Sequence, residues 1–249
     1  MELNFLGRGA AFNPKEGNTS AYFIIDNQLF LIDCGESVFA KLMELDLLNN
    51  METINLMITH THSDHIGSLG SLVMYAYYHL HRPLNIILPE KAKYLENIRN
   101  LLTGFGCTKE MYNFVREQEF DEKYEEFQNI RYIEASHCDE LTSYGLLFNT
   151  QKGIVYYSGD TRDLNVIKTL INSENKIYKM YIDTTPANYP GNVHLYIGLL
   201  SEIIPINLKK KVYCMHLTND ECILRAKELG FNVVEMQEEK RISLNKNVR

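Results

Sequence analysis

His60-Thr61-His62-Ser63-Asp64-His65 puts three imidazoles and one carboxylate into six residues. The segment directly follows Ile54-Asn55-Leu56-Met57-Ile58, an apolar run that reads as a buried strand. Side chains at a strand end can converge on a point beyond the sheet edge, where loops commonly carry sites. Imidazole nitrogen and carboxylate oxygen are the donors that a borderline-soft cation such as Zn²⁺ takes. His60 and His62 are two apart, so on an extended segment they share a face. Asp64 and His65 lie past the bend and can face a different centre. One strand-end loop can thus feed two adjacent metals. A lone His in a loop is ordinarily a scattered polar residue. Three of the chain's eight His plus an Asp in one window are not explained that way.

Three further ligand-type residues follow predicted strands. His137 comes after Ile130–Ala135, Asp160 after Gly153–Ser158 and His216 after Val212–Met215. Singly, each has a plainer role, as a loop His, a helix N-cap or a capping group. Their shared strand-end placement is what residues meeting at one sheet edge would have. The remaining strands are read at Leu3–Leu6, Leu84–Leu88, Ser143–Asn149, Ile177–Ile182 and Asn232–Glu235. Ala21–Asp26 and Gln28–Asp33 form a hairpin turning at Asp26-Asn27. Helical spacing covers Glu36–Leu47, Ile66–His81, Lys91–Leu102, Asp163–Ile171, Val193–Ile204 and Asp220–Leu229. Hairpins come early and helix-separated strands later. That order predicts mixed sheets with helices outside, an α/β layered architecture. The acidic stretch Glu117–Gln128 reads as a solvated helix face or loop. With no internal repeat, low-complexity tract or linker, one domain over 1–249 is expected.

The 249 residues are 45% hydrophobic and 23% charged, ordinary for a globular chain and unlike a disordered or collagen-like one. A net charge of −7 argues against a broad grip on a nucleic-acid backbone, so no stable DNA or RNA binding is expected. Apolar runs such as Ile203–Ile206 are too short to cross a bilayer. The N-terminus lacks a basic region ahead of an apolar one, so no signal peptide is expected and the location is read as cytoplasmic. The five Cys (34, 107, 138, 214 and 222) include no CxxC pair and read as reduced thiols. Cys34 and Cys138 flank site residues and are taken as small buried groups.

With His60, His62, Asp64 and His65 standing as HxHxDH, the chain resembles the metallo-β-lactamase-fold hydrolases. Phe5-Leu6-Gly7-Arg8-Gly9-Ala10-Ala11, Gly17-Asn18-Thr19-Ser20, Ile32-Asp33-Cys34-Gly35-Glu36 and Ser158-Gly159-Asp160-Thr161 are similar to the ribonuclease Z-like branch. The opening motif and length look most like the anti-Pycsar phosphodiesterases, which bacteriophages use to destroy cyclic nucleotide alarm signals. The resemblance runs from about residue 3 to 236. It implies an αββα sandwich of two mixed β-sheets with helices on the outer faces. It also implies two Zn²⁺ ions, with Mn²⁺ or another divalent metal possible in their place, and a homodimer. In that pattern His60, His62 and His137 would hold one ion, Asp64, His65 and His216 the other, and Asp160 would bridge them. The branch's His-Glu-Ala-Thr element stands here as Ile182-Asp183-Thr184-Thr185, with Asp183 in the acidic place, and its partner His matches His194.

These positions imply a phosphodiesterase. Asp64 would orient the nucleophile and accept its proton. His194 would protonate the leaving alkoxide, held in the right tautomer by Asp183. Asp33 is a plausible orienting partner for a ligand His. The expected substrate is a small 3′,5′-cyclic mononucleotide. The long tRNA-gripping arm of ribonuclease Z has no counterpart here, which weighs against the alternative of 3′ tRNA processing. A lactone or ester hydrolase would not need His194, and a nucleotide-sequestering protein would not need all seven ligand positions. Thr103-Gly104-Phe105-Gly106 and Met111-Tyr112-Asn113-Phe114 read as an aromatic loop and short helix, where a base could stack but core or dimer contact is the plainer role. Tyr75–His81 reads as packing, since helical residues two apart face different ways.

Overall fold

The protein is described by a computed structural model that covers residues 1–173 and 176–237. Residues 174–175 and 238–249 of the expected single domain therefore lie outside the described residues.

The first sheet holds β1 (Asn4–Gly7), β2 (Ser20–Ile25), β3 (Gln28–Ile32), β4 (Thr53–Met57), β5 (Leu84–Leu88) and β6 (Tyr112–Arg116), side by side in chain order. β1, β2 and β3 pair antiparallel, and β3 to β6 pair parallel. The β2–β3 turn is Asp26-Asn27, both at positive φ (47° and 58°), the tight-hairpin conformation that short polar residues tolerate. The parallel connections carry α1 (Val38–Glu44), the short α2 (Ser63–Ile66), α3 (Leu69–Tyr78) and α4 (Leu95–Gly104). The second sheet repeats the plan. β7 (Asn129–Ala135), β8 (Ser143–Thr150) and β9 (Gly153–Tyr157) are antiparallel. β10 (Ile177–Asp183), β11 (Val212–Met215) and β12 (Asn232–Val233) extend it in parallel, with α5 (Asn165–Asn172), α6 (Ile197–Ile203) and α7 (Asp220–Glu228) between.

Three apolar clusters glue four layers together. One lies between the first sheet and its helices, with Leu42, Leu72 and Ile98 against Leu31, Leu56 and Ile86. Another joins the second sheet to Ile167, Leu200 and Ala226 of its helices. The middle cluster, between the sheets, is built on aromatic rings. Phe23 stacks on Phe30 at 4.8 Å, and Phe127 and Phe148 meet Phe23 edge-on. The architecture is the expected αββα sandwich. Among the described residues, no helix is long and apolar enough to cross a membrane.

Several sequence-based expectations are corrected. Ile66–His81 is not one helix, because α2 and α3 are separated at Gly67-Ser68. There the Cys34 backbone intrudes, donating to His65 O (2.7 Å) and accepting from the Ser68 N–H (3.1 Å). Residues 112–116 are strand β6, not loop and helix, and Tyr112 and Met111 pack in the core. Glu117–Gln128 is not simply a solvated face. Phe120, Tyr124 and Phe127 close the inter-sheet core, and buried Glu117 accepts the Tyr132 N–H at 2.7 Å. The helix expected from Val193 begins at Ile197, which leaves His194 in the preceding loop.

Candidate metal centre

Asp33, Thr59 and His60 follow the parallel strands β3 and β4, and Asp160 and His216 follow β9 and β11. Asp183 ends β10, and His137 follows β7. Chain ends from both sheets therefore meet at one edge of the sandwich. The turns that bring them there are demanding. Asp33 and His216 sit at φ of 61° and 59°, a left-handed conformation that non-glycine residues rarely adopt. A Cβ on Gly159 would come 2.4 Å from Tyr144 O, so only glycine lets the chain pass beneath β8 and deliver Asp160.

Two donor sets share one carboxylate. In the first, His62 Nδ1 lies 2.9 Å from His60 Nε2 and 3.3 Å from His137 Nε2. Asp160 Oδ2 stands 3.9 and 3.7 Å from the latter two nitrogens. In the second, Asp64 Oδ2 is 3.4 Å from His65 Nε2 and 3.3 Å from His216 Nε2. Asp160 again closes the set, with Oδ1 3.4 Å from His65 and Oδ2 3.4 Å from His216. A tetrahedron with arms of ~2.0–2.1 Å has edges of about 3.3 Å. All seven expected ligand residues are together: His60, His62 and His137 form one group able to hold a metal ion and Asp64, His65 and His216 another, while Asp160 groups with His60 and His65 and also with Asp183, His194 and His216.

The outer ring nitrogens are held in place. His137 Nδ1 donates to Val193 O (2.9 Å), which can only accept. His65 Nδ1 donates to Asp33 Oδ2 (2.8 Å). Asp33 also accepts the Thr59 N–H and hydroxyl, both at 2.8 Å. With that hydroxyl hydrogen committed, Thr59 Oγ1 accepts from His60 Nδ1 at 3.1 Å. In the neutral form of each ring these bonds keep the proton on Nδ1 and turn Nε2 inward as the free donor, as metal ligation requires. Inward-facing His65 Nε2 is buried and has no hydrogen-bond partner.

Electrostatics agree with a cation pair. Burial, then the His65 imidazole, holds His60 well below the ordinary imidazole value, and burial with His137 lowers His62. Burial pushes the Asp64 and Asp160 carboxyls up, but the surrounding imidazoles more than offset it and leave both low. His65 and His216 go the other way. Burial pulls them down, yet Asp160 and the other neighbouring carboxylates raise His65 well above its ordinary value and His216 to about 10. Asp33, Asp64, Asp160 and Asp183 are all buried, so this edge demands positive charge, from protons or from cations.

His194 stands beside this edge, its ring 4.8 Å from His216 and 5.2 Å from His137. Its Nδ1 donates to Asp183 Oδ2 at 2.8 Å, and its side chain keeps 22% exposure. Sequence reasoning missed Thr59 and the Val193 carbonyl. Thr59 was visible as the hydroxyl between strand and motif, whereas a backbone carbonyl leaves no mark in a sequence. Cys138 is half-buried rather than buried, and its Sγ lies 4.0 Å from His62 Nε2. Phe105 packs on Gly70 of α3, and Tyr75 packs on Phe39 and His79, both as core or surface packing.

The family model for anti-Pycsar protein Apyc1 matches residues 1–239. A ribonuclease Z of Methanococcus maripaludis is 41% identical over 104 residues, 41% of this chain and 33% of that protein. The match thus spans about a third of the ribonuclease Z's length. An anti-Pycsar protein Apyc1 of Saccharibacillus brassicae is 28% identical over 233 residues, covering 89% of this chain and 91% of that protein. Among solved structures, the metallo-β-lactamase fold protein YhfI from Bacillus subtilis superimposes with a TM-score of 0.68 at 17% identity, over 93% of this chain and 94% of that one. That likeness shows the fold.

Proposed function

The chain belongs to the anti-Pycsar Apyc1 family, and from that premise we propose that this metal-dependent hydrolase is a dizinc phosphodiesterase. Its substrates in this reading are 3′,5′-cyclic mononucleotides, cyclic pyrimidine nucleotides included, which it opens to nucleoside monophosphates. One observation carries the reading: two donor sets meet across the single carboxylate of Asp160. His60, His62 and His137 are assigned to one Zn²⁺, Asp64, His65 and His216 to the other, and Asp160 to both; Mn²⁺ or another divalent cation fits the same donors. When bound, the pair lowers the pKa of water to about 7 and offsets charge on the phosphoryl oxygens.

The chain's own groups do the rest. Asp64 stays ionised, held low against the push of burial by the hydrogen bond from His216 and the neighbouring His65 imidazole, and so orients the attacking water and takes its proton. His194 is the general acid. Burial lowers its proton affinity, but the Asp183 carboxylate more than offsets this and raises it, which favours the protonated ring that a general acid needs. With Nδ1 committed to Asp183, Nε2 is left to protonate the leaving alkoxide.

In this reading the chain is one domain over 1–249, working as a homodimer in the cytoplasm. That is the host cytoplasm if a phage encodes it, where it would defeat a cyclic nucleotide antiviral signal. The net charge of −7 supports a small substrate over stable nucleic-acid binding. The segment 41% identical to a ribonuclease Z favours a second reading, 3′ processing of transfer RNA. The test is a panel of 3′,5′-cyclic mononucleotides, cyclic dinucleotides and a precursor transfer RNA, with products resolved by chromatography. Turnover of cyclic mononucleotides that chelation abolishes is expected. Preferential cleavage of the precursor transfer RNA overturns the proposal.

A further inference from the structure

The segment from Arg8 to Thr19, between β1 and β2, is a hydrogen-bonded loop built against the metal centre. Internally, the Arg8 N–H donates to Glu16 O (3.0 Å), Gly9 to Gly17 O (2.7 Å) and Asn13 to Ala10 O (2.9 Å). The buried Arg8 guanidinium also pairs with Glu16 at 2.7 Å. Externally, the loop is tied to Leu217, the residue after His216. Leu217 N–H donates to Arg8 O (2.8 Å), while Ala10 N–H (3.0 Å) and Asn13 Nδ2 (2.9 Å) donate to Leu217 O. The other end of the loop reaches Asp64. A Cβ on Gly35 would lie 1.9 Å from Asp64 O and 2.8 Å from Asn18 Cβ, so both residues press on that glycine. The loop thus flanks the centre on its Asp64 and His216 side.

On this frame Phe12 is 99% exposed, the most exposed large apolar side chain among the described residues. It sits in the Ala10–Asn13 turn, two residues from the bond to Leu217. A phenyl ring held in water by an ordered turn gains nothing from the fold. Tyr189, also exposed, lies on the loop that leads to Val193 and His194. Its hydroxyl can account for exposure, whereas Phe12 has no polar group that could.

We infer that Phe12 is the platform on which the nucleobase of the substrate stacks while the phosphodiester lies at the metal centre. This rests on the phosphodiesterase reading above and adds a specificity-determining residue to it. A phenyl face accepts every base, because each base has a π-face. A site recognising its base in this way takes purine and pyrimidine cyclic mononucleotides alike.

The test compares wild type, Phe12→Ala and Phe12→Trp on 3′,5′-cyclic AMP, 3′,5′-cyclic UMP and the base-free methyl riboside 3′,5′-cyclic phosphate. Phe12→Ala should lower kcat/KM on both nucleotides by about tenfold, through KM. It should leave the base-free substrate unchanged, and Phe12→Trp should retain nucleotide activity. Thermal unfolding should be unmoved, since the ring packs against none of the described residues. Equal loss on all three substrates, or no loss on the nucleotides, overturns the inference. So does a wild-type dimer that Phe12→Ala dissociates in sedimentation, because the ring would then lie between copies. Wild-type turnover of neither nucleotide brings down the phosphodiesterase reading as well. Nucleotide turnover without a selective Phe12→Ala loss brings down this inference alone.

Discussion

Asp33→Asn isolates the role of one orienting carboxylate without moving a donor of either set. Asn is the right probe because position 33 has φ of 61°, which Asn tolerates and Ala does not. Asp33 Oδ1 accepts the Thr59 N–H, and Oδ2 accepts both the Thr59 hydroxyl and His65 Nδ1, all at 2.8 Å. An amide offers only one oxygen. If its nitrogen replaces Oδ1, two N–H donors face each other, a clash worth about 1–3 kcal/mol in a buried site. If it replaces Oδ2, His65 can accept there only by moving its proton to Nε2, the nitrogen aimed at the second donor set. Either way the second set is damaged, and the loss should match that of an orienting partner, about 10–100-fold in metal affinity or activity, which is ~1.4–2.7 kcal/mol. Metal content after dialysis against a buffered chelator and kcat/KM on a cyclic mononucleotide read it out. Thermal unfolding of the chelated form separates a fold defect from a ligand defect. Metal affinity and kcat/KM both equal to wild type would falsify the argument that Asp33 sets the His65 tautomer.

In chelated protein, His216 is raised to about 10 by Asp160 and its neighbours against the pull of burial. A raised folded-state value stabilises fully below the ordinary value of 6.5 and is lost as pH climbs towards about 10. The unfolding midpoint of chelated protein should therefore fall across that window, while the gain from added Zn²⁺ should grow, because ligation needs the neutral ring. A midpoint rising from pH 7 to 10 without metal contradicts this. His194→Ala should cut kcat on a cyclic nucleotide by about 10²–10⁴ with metal content intact. It should cost far less on a p-nitrophenyl phosphodiester, whose leaving group needs no acid, and the variant should lack the wild type's alkaline fall in kcat; equal losses on both substrates would remove His194 as the acid. Gly35→Ala would drive a Cβ to 1.9 Å from Asp64 O. It should cost about 1–3 kcal/mol of stability and weaken the Asp64 set, seen as a lower midpoint and metal loss; a wild-type midpoint would refute that contact.

The metal centre was legible because its residues sit at element ends. Buried strands such as Ile54–Ile58 announce themselves by composition, and His60–His65 follows one directly. Breaks set by tertiary contact were not legible. Nothing between Ile66 and His81 marks the interruption that the Cys34 backbone imposes, and Gly67 there reads as a tolerated helical glycine. Strand β6 was hidden for a related reason. Tyr112–Arg116 is an edge strand whose partners lie on one side only, so its apolar alternation is weak. In Glu117–Gln128 the charged majority masked Phe120, Tyr124 and Phe127, whose inward direction is decided by the sheets they close.

Asp183 lies between the second donor set and His194, the ring proposed as the acid. It ends β10, the strand between β9, which leads to Asp160, and β11, which leads to His216. Its Oδ2 accepts from His194 Nδ1 (2.8 Å) and from the Thr161 N–H (3.1 Å), while Oδ1 faces His216 Nδ1 at 3.5 Å. One buried carboxylate therefore holds by a hydrogen bond the ring proposed to carry the leaving-group proton, and faces a ring of the second set across 3.5 Å. Because the two imidazoles draw on the same charge, whatever withdraws the His216 proton leaves more of that charge to His194. This coupling requires the acidic residue to be fully buried between parallel neighbours, where water cannot screen it. It also accounts for a short Asp serving where the ribonuclease Z-like element has Glu. The sheet already brings the position within 2.8 Å of His194, so a longer side chain has no distance left to span.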